Sequence, residues 1–271
     1  MNNPRVSVIM AEFNTAPHHL EQSIKSIVEQ TFDDFELVIV DDGGCNDVTS
    51  IVAGFNDRRL RVIENGGNKG FVFSLNAAIL AAKADYIVRM DTDDISAPDR
   101  IEKLYSFLVS NTQYAVAASL AVEFSDARGT GRVLGTPGEK SAKQLMRGDA
   151  PIHPSVIFRR QDVVDVGLYD DYHRAEDLAL WCKLVIAGKR IHVLDDILLD
   201  YRVNPSDFKK RSLRNRRGEI RARLKYYPML GGSAYDYLFI AKSILAGLLP
   251  VNVVIAIRNR FVLGQKKDLV S

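Results

Sequence analysis

The run Tyr86-Ile87-Val88-Arg89-Met90-Asp91-Thr92-Asp93-Asp94 decides the fold. Its first part, Tyr86–Met90, predicts a strand, and it ends abruptly in a group of aspartates. The same arrangement occurs upstream. Leu37–Val40 is a continuous apolar run that leads straight into Asp41-Asp42-Gly43-Gly44. An unbroken apolar strand is buried on both faces, as in a parallel sheet covered by helices. In open sheets of this kind, ligands bind beyond the carboxyl ends of the strands. Both acidic clusters therefore fall where a site is expected.

Working outward, Val6–Met10 is a short β-rich run. A helix is predicted from Pro17, which suits a first helical turn, with Leu20, Ile24, Ile27 and Val28 at helical spacing. Arg61–Glu64 reads as a third strand. Gly70–Lys83 and Ala97–Ser110 read as helices, the second with Pro98 at its start and Ile101, Leu104 and Leu108 facing inward. Strands alternating with helices imply an α/β, Rossmann-like, mostly parallel sheet with helices on both faces. After Val122 the pattern loosens. Gly129–Gly138 reads as a loop, Val156–Phe158 as a strand and Glu176–Ala187 as a helix. Ile191–Leu194 and Leu198–Tyr201 read as two short strands. Composition shifts at Val203–Lys210, which divides a catalytic domain, 1–203, from a helical C-terminal extension, 204–271.

The 271 residues are 46% hydrophobic and 26% charged, the balance of an ordinary folded soluble chain. Two cysteines, Cys45 and Cys182, exclude a disulfide scaffold and a four-cysteine zinc site, and both read as structural. The opening MNNPRVSVIM has too short an apolar run for a secretory leader, so the expected compartment is the cytosol. The net charge of +2 hides an asymmetry: from Arg202 onward there are 15 Lys/Arg against 4 Asp/Glu, while residues 1–201 carry 21 against 30. A basic tail on an acidic body points to an anionic partner or to a solvated helical face.

Asp91, Asp93 and Asp94 repel one another unless a cation, a ligand donor or water offsets their charge. An Asp-x-Asp at a strand end offers hard oxygen ligands to Mg²⁺ or Mn²⁺, whose shell substrate phosphates can complete. The bland alternative is that these residues are turn formers and helix caps. Gly66-Gly67-Asn68-Lys69-Gly70 matches neither the Walker pattern nor the dinucleotide fingerprint and reads as a turn before a helix.

Five ordered segments over residues 5–202 resemble the family 2 glycosyltransferases of the GT-A fold, of the bacterial surface-polysaccharide type. They are Val6-Ser7-Val8-Ile9-Met10-Ala11-Glu12-Phe13-Asn14, the string Gln30 to Gly43, Tyr86 to Ile95 with Pro98-Asp99-Arg100, His153-Pro154-Ser155, and Ala175-Glu176-Asp177-Leu178-Ala179-Leu180-Trp181. The resemblance implies that Phe13 stacks on the nucleotide base and that Asp42 hydrogen-bonds it, with Asp41 beside the same nucleoside. It implies Asp93 as the main metal ligand, Asp91 on the ribose and sugar side, and Asp177 as catalytic base. Asn76 and Arg100 fall on recurrent family positions and take supporting roles. Ala11, Glu12 and Gly44 depart from the usual residues, as does Asn204 where many relatives have His. The Gln-x-x-Arg-Trp segment of processive synthases is absent, which implies one sugar added per encounter.

The chemistry expected of such a chain is transfer of a sugar from a nucleotide donor, UDP-linked by expectation, to an acceptor hydroxyl. A divalent cation stabilises the departing diphosphate, and a carboxylate takes the hydroxyl proton. A single base without a covalent intermediate predicts inversion. Asp177 should open a helix whose dipole favours the ionised carboxylate; Glu176 is the alternative base. Two readings stand for His153, acceptor pocket or buried structural histidine. Two stand for Trp181, flanking the acceptor sugar or packing in the core.

The tail carries a basic stretch from Lys209 to Lys225 and an apolar one, Leu238 to Ile257, interrupted by Lys242, Pro250 and Asn252. Two interfacial helices meeting near Pro250 fit this better than a membrane span. A lipid-linked or glycan acceptor and peripheral contact with the inner face of the cytoplasmic membrane follow as expectations; packing on the body and a homodimer interface are the alternatives. No nucleic-acid module is recognisable in the tail. The rival functional reading is a noncatalytic nucleotide-sugar-binding or scaffold subunit.

Overall fold

The computed structural model describes residues 3–126, 129–203 and 216–248. The first half alternates strands and helices: β1 (Val6–Glu12), α1 (Pro17–Val28), β2 (Phe35–Asp41), α2 (Val48–Ala53), β3 (Leu60–Glu64), α3 (Phe71–Ala81) and β4 (Tyr86–Arg89). There follow β5 (Ile95–Ser96), α4 (Arg100–Ser110), β6 (Tyr114–Ser125), β7 (Gly129–Leu134), β8 (Gly138–Glu139) and α5 (Ala142–Met146). A 3₁₀ turn (His153–Ser155) leads into β9 (Val156–Arg159), α6 (Arg160–Asp165), α7 (Glu176–Ile186) and β10 (Arg190–Arg202). Two helices, α8 (Arg217–Met229) and α9 (Ala234–Leu248), come last.

The strands form one sheet in the order β3-β2-β1-β4-β9-β6-β10-β5. β3, β2, β1 and β4 run parallel. β9 is antiparallel to both β4 and β6, and β10 is again parallel to β6. Strand pleating sends alternate residues to opposite faces, and each face is covered. Val6, Val8, Met10, Leu37 and Ile39 pack under Leu20, Ile24 and Ile27 of α1 and Ile101, Leu104 and Leu108 of α4. Ile9, Val38 and Val40 pack under Leu75, Ala78 and Ile79 of α3 and Leu180, Trp181 and Leu184 of α7. Each fully buried side chain of this size contributes roughly 1.5–3 kcal/mol. The two apolar layers therefore hold the strands in register, which places the loops that follow β1, β2 and β4 along one edge.

Three sequence expectations are corrected. Gly129–Gly138 is not a loop: β7 pairs antiparallel with β6, and β8 with β10. Its glycines misled because both strands lie off the main sheet path, where short side chains cost little packing. Ile191–Leu194 and Leu198–Tyr201 are one strand, β10, with register shifts between Val193 and Ile197 and between Ile197 and Leu199. The intervening Asp195-Asp196 is taken up as a bulge rather than a break. The helix read from Ala97 begins at Arg100, because Ala97 still accepts a backbone bond as part of the preceding turn.

The start of the extension lies against the body. Ala222 and Tyr226 of α8 pack on Leu178, Ala179 and Cys182 of α7, and Tyr227 packs with Met146 and Ile240. Facing outward are Leu224 and Met229 on α8 and Tyr235, Leu238 and Leu245 on α9. The junction of these helices is Leu230–Ser233; Pro250, Asn204 and Lys209–Arg214 lie outside the described residues. Among the described residues no helix is long and apolar enough to cross a membrane. Cys182 is buried, but Cys45 is exposed, so a structural reading holds for the first alone.

Candidate active site

The site is built at the carboxyl ends of β1, β2 and β4. β1 delivers Phe13, whose ring is 48% exposed, next to Asn14 in the left-handed region (φ 59°). The Asn14 Oδ1 accepts the Cys45 N–H at 2.8 Å, joining the loops after β1 and β2. Glu12 strengthens that junction. Its Oε1 accepts from Thr15 N–H and Asn46 Nδ2, both at 2.9 Å. Burial raises its carboxyl above the usual range.

The two aspartates after β2 do different things. Asp41 is half-buried and accepts the Gly43 N–H at 2.9 Å. Asp42 is buried and holds the 65–70 turn. Its Oδ1 accepts from Lys69 N–H and Asn65 Nδ2, both at 2.8 Å, and its Oδ2 accepts from Gly70 N–H at 2.9 Å. Burial opposes its charge, but these hydrogen bonds together hold the carboxyl below its ordinary value. Gly43, at φ +75°, lets the β2 loop approach this turn closely.

The aspartates after β4 also separate. Asp94 is buried, and its Oδ1 accepts the Arg202 N–H at 2.8 Å. Burial, then the charges of Asp91 and Asp93, push it well above the carboxylate range. Asp93 is half-buried, with its backbone carbonyl accepting from Arg202 Nε at 2.7 Å. Asp91 accepts from Arg89 Nη2 at 2.5 Å. Asp91 and Asp93 lie close enough for their charges to raise the buried Asp94 carboxyl, and hard carboxylate oxygens grouped in this way are a donor set suited to Mg²⁺ or Mn²⁺. His18, His19 and Asp126 also bring ligand atoms within 4.8 Å of one another. There Asp126 is already committed to His19 and Arg202.

α7 brings the opposite wall. Glu176 and Asp177 form its first turn. Burial, then the charge of Glu176, raise the Asp177 carboxyl to about 7. The expectation that the helix dipole would keep it ionised is corrected, since desolvation and a like charge outweigh the dipole here. Burial also raises Glu176, and both carboxyls feel the positive charge of Arg89. His153 lies behind this wall. Its Nε2 is 2.8 Å from the Tyr169 hydroxyl, and its ring meets Phe71, Tyr169 and Trp181 edge-on. Burial, then Arg89, push its pKa well down, so it is neutral at pH 7.

Two supporting residues turn out to brace the frame. Asn76 accepts the Tyr169 N–H and donates to its carbonyl, each at 3.0 Å. Arg100, wholly buried, donates to the Arg89 and Pro154 carbonyls and to Met90 Sδ. Trp181 is completely buried, so its ring backs His153 within the core.

Residues 7–166 match the family model described as Glycosyl transferase family 2. The chain belongs to this family. As a family 2 glycosyltransferase it is a transferase of the GT-A fold, and two of its relatives match along nearly its whole length. EpsE of Bacillus subtilis (strain 168) is 30% identical over 279 residues, covering 100% of this chain and 99% of that protein. The Escherichia coli UDP-Gal:alpha-D-GlcNAc-diphosphoundecaprenol beta-1,3-galactosyltransferase is 27% identical, covering 93% and 94%. The mannosyltransferase PcManGT from Pyrobaculum calidifontis, solved in complex with GDP-Man and Mn²⁺, superposes with a TM-score of 0.69 at 18% identity. That superposition covers 97% of this chain and 81% of PcManGT.

The sequence reading of this glycosyltransferase passed over Arg89, Tyr169 and Arg202. Arg89 had a signal, a cation inside an otherwise apolar strand. Tyr169 and Arg202 had none, since their partners lie 16 to 180 residues away in the chain.

Proposed function

We propose that this glycosyltransferase moves a sugar from a UDP-sugar to an acceptor hydroxyl with inversion, one sugar per encounter, in the assembly of a surface polysaccharide. The observation that carries the reading is Asp177. A carboxyl raised to about 7 beside the Asp91–Asp94 turn is matched to proton transfer near neutral pH. The Escherichia coli relative, whose name specifies a UDP-Gal donor and a diphosphoundecaprenol-linked acceptor, supports the donor and a lipid-linked acceptor here.

In this reading the nucleoside base lies against the exposed Phe13 ring and bonds to Asp42, which also holds the 65–70 turn, with Asp41 beside the same nucleoside. Asp93, with Asp91 beside it, would hold a Mg²⁺ or Mn²⁺ ion, which supplies Lewis-acid stabilisation of the diphosphate charge. Asp177 accepts the proton of the acceptor hydroxyl. The hydroxyl oxygen bonds to the anomeric carbon as the bond from that carbon to the diphosphate oxygen breaks, and opposite approach and departure invert the centre. Glu176 raises the affinity of Asp177 for that proton.

Residues 1–203 act as the catalytic unit and 204–271 as the extension. Outward-facing Leu224, Met229, Tyr235, Leu238 and Leu245, close to Arg221 and Lys225, support peripheral contact with an anionic membrane where a lipid-linked acceptor is found.

The test is calorimetric titration with UDP, with and without Mn²⁺, followed by transfer assays from UDP-sugars to polyprenyl-diphosphate-linked acceptors. Metal-dependent UDP binding and an inverted product are expected. Binding without transfer to any acceptor would overturn the enzymatic reading in favour of a noncatalytic subunit. Binding of GDP or dTDP in place of UDP would overturn the donor assignment.

A further inference from the structure

Arg89 ends β4, in register with Ile9 of β1, and is 2% exposed. Its guanidinium uses one nitrogen, Nη2, on Asp91. Nε and Nη1 are buried and have no hydrogen-bond partner among the described residues. Its plane lies over the Phe71 ring at 5.4 Å, and Phe71 in turn meets His153. Arg202, also buried, is wired differently: all three of its nitrogens donate, to Asp93 O, Asp126 and Gln22. A buried guanidinium with two idle nitrogens is poor value as a local brace. Its charge, however, acts on Asp91 and Asp94 in the turn after β4 and on Glu176 and Asp177 in the first turn of α7.

We propose that Arg89 is a positioning residue for the transfer reaction: a buried cation, fixed on Asp91 and seated on Phe71, that serves as shared counter-charge to the donor-side and base-side carboxylates. An arginine suits this place because it stays charged when buried, and the Asp91 pairing reinforces that charge. Asp177 otherwise faces Glu176 on its own helix, Tyr169 on the preceding loop and Cys182 one turn on, while Glu176 also faces Asp91. The cation acting on Glu176 and Asp177 is Arg89, while the buried Arg100 acts beside it on Asp91 and Asp94. Without it, the pair would hold its proton to higher pH.

The inference rests on the proposed reaction. It is tested by the pH dependence of kcat in the full-length enzyme, in Arg89→Gln and in Arg89→Lys, with thermal unfolding as a check on folding. Arg89→Gln should move the acid limb of the kcat profile upward by roughly one pH unit. It should lower kcat at pH 7 at least about tenfold, with donor KM changed less than about threefold. Arg89→Lys keeps the charge but loses the planar fork. It should keep the wild-type limb while recovering only part of kcat. An unmoved limb in Arg89→Gln overturns the inference. So does an Arg89→Lys limb shifted by a unit, which decides the matter even if the glutamine variant does not fold. A wild-type enzyme that transfers no sugar strikes down the functional reading itself, before any variant is made.

Discussion

A Cβ placed on Gly43 would stand 2.6 Å from the Cα of Gly67 and 2.8 Å from its carbonyl carbon. Backbone meets backbone there, so neither side can give way by a rotamer change. Gly43 is also at φ +75°, where an L side chain is strained. Gly43→Ala should therefore cost about 2–4 kcal/mol and displace the 65–70 turn. Chemical denaturation measures the first effect, and weakened UDP binding reports the second.

Asp42 predicts a pH effect on the same turn. Its carboxyl is held below the ordinary value in the folded state, so its contribution to stability is present above the unfolded pKa and is lost as pH falls through the folded one. Asp42→Asn, which keeps the shape but not the charge, should cost about 1–3 kcal/mol at pH 7. The gap from wild type should narrow as pH falls below the ordinary carboxylate value of 3.8, as followed by denaturation at each pH.

Asp177 has the opposite sign. The folded protein keeps this proton to about pH 7, whereas the unfolded chain releases it near the ordinary value of 3.8. The charge is thus a burden that grows as pH rises through that window. Asp177→Asn should lower kcat by about 10²–10⁴ and raise the unfolding temperature at pH 8 by about 2–6 °C. In wild type, kcat should climb through an acid limb near 7. Calorimetry and a pH-rate profile check both.

Asp93→Ala should remove the metal dependence of UDP binding and reduce transfer at least about a hundredfold, with little change in unfolding temperature because the side chain is half-buried rather than core. Chelation of wild type with EDTA should reproduce the loss, and added Mn²⁺ or Mg²⁺ should reverse it. Activity that survives both treatments would remove the metal from the mechanism.

The half of the fold that carries the nucleotide-side loops was legible because β2 and β4 are short, largely apolar runs that lead into aspartates, and helical spacing separates them. The burial of Leu37–Val40 follows from composition alone. The second half was less legible. β7 carries glycines that mimic a loop, and β10 hides a bulge under Asp195-Asp196. For the site, residue type located the aspartates but not their division of labour. Asp42 and Asp94 are buried and accept from backbone amides, while Asp41 and Asp93 remain half-exposed. Which of two adjacent carboxylates turns inward depends on partners such as Gly70 and Arg202, and nothing local encodes that choice. The shift of Asp177 is likewise a property of its surroundings, against the local helix-start signal.

The antiparallel β9 has a mechanical consequence. By bonding to both β4 and β6, it makes the strands that carry the Asp91–Asp94 turn continuous with those of the second half, with β3 at one edge and β5 at the other. Among the described residues the two halves thus share one unbroken sheet. In the proposed reaction, the spacing between the donor-side aspartates and Asp177 would then be set by a shared sheet rather than by closure of one lobe on another.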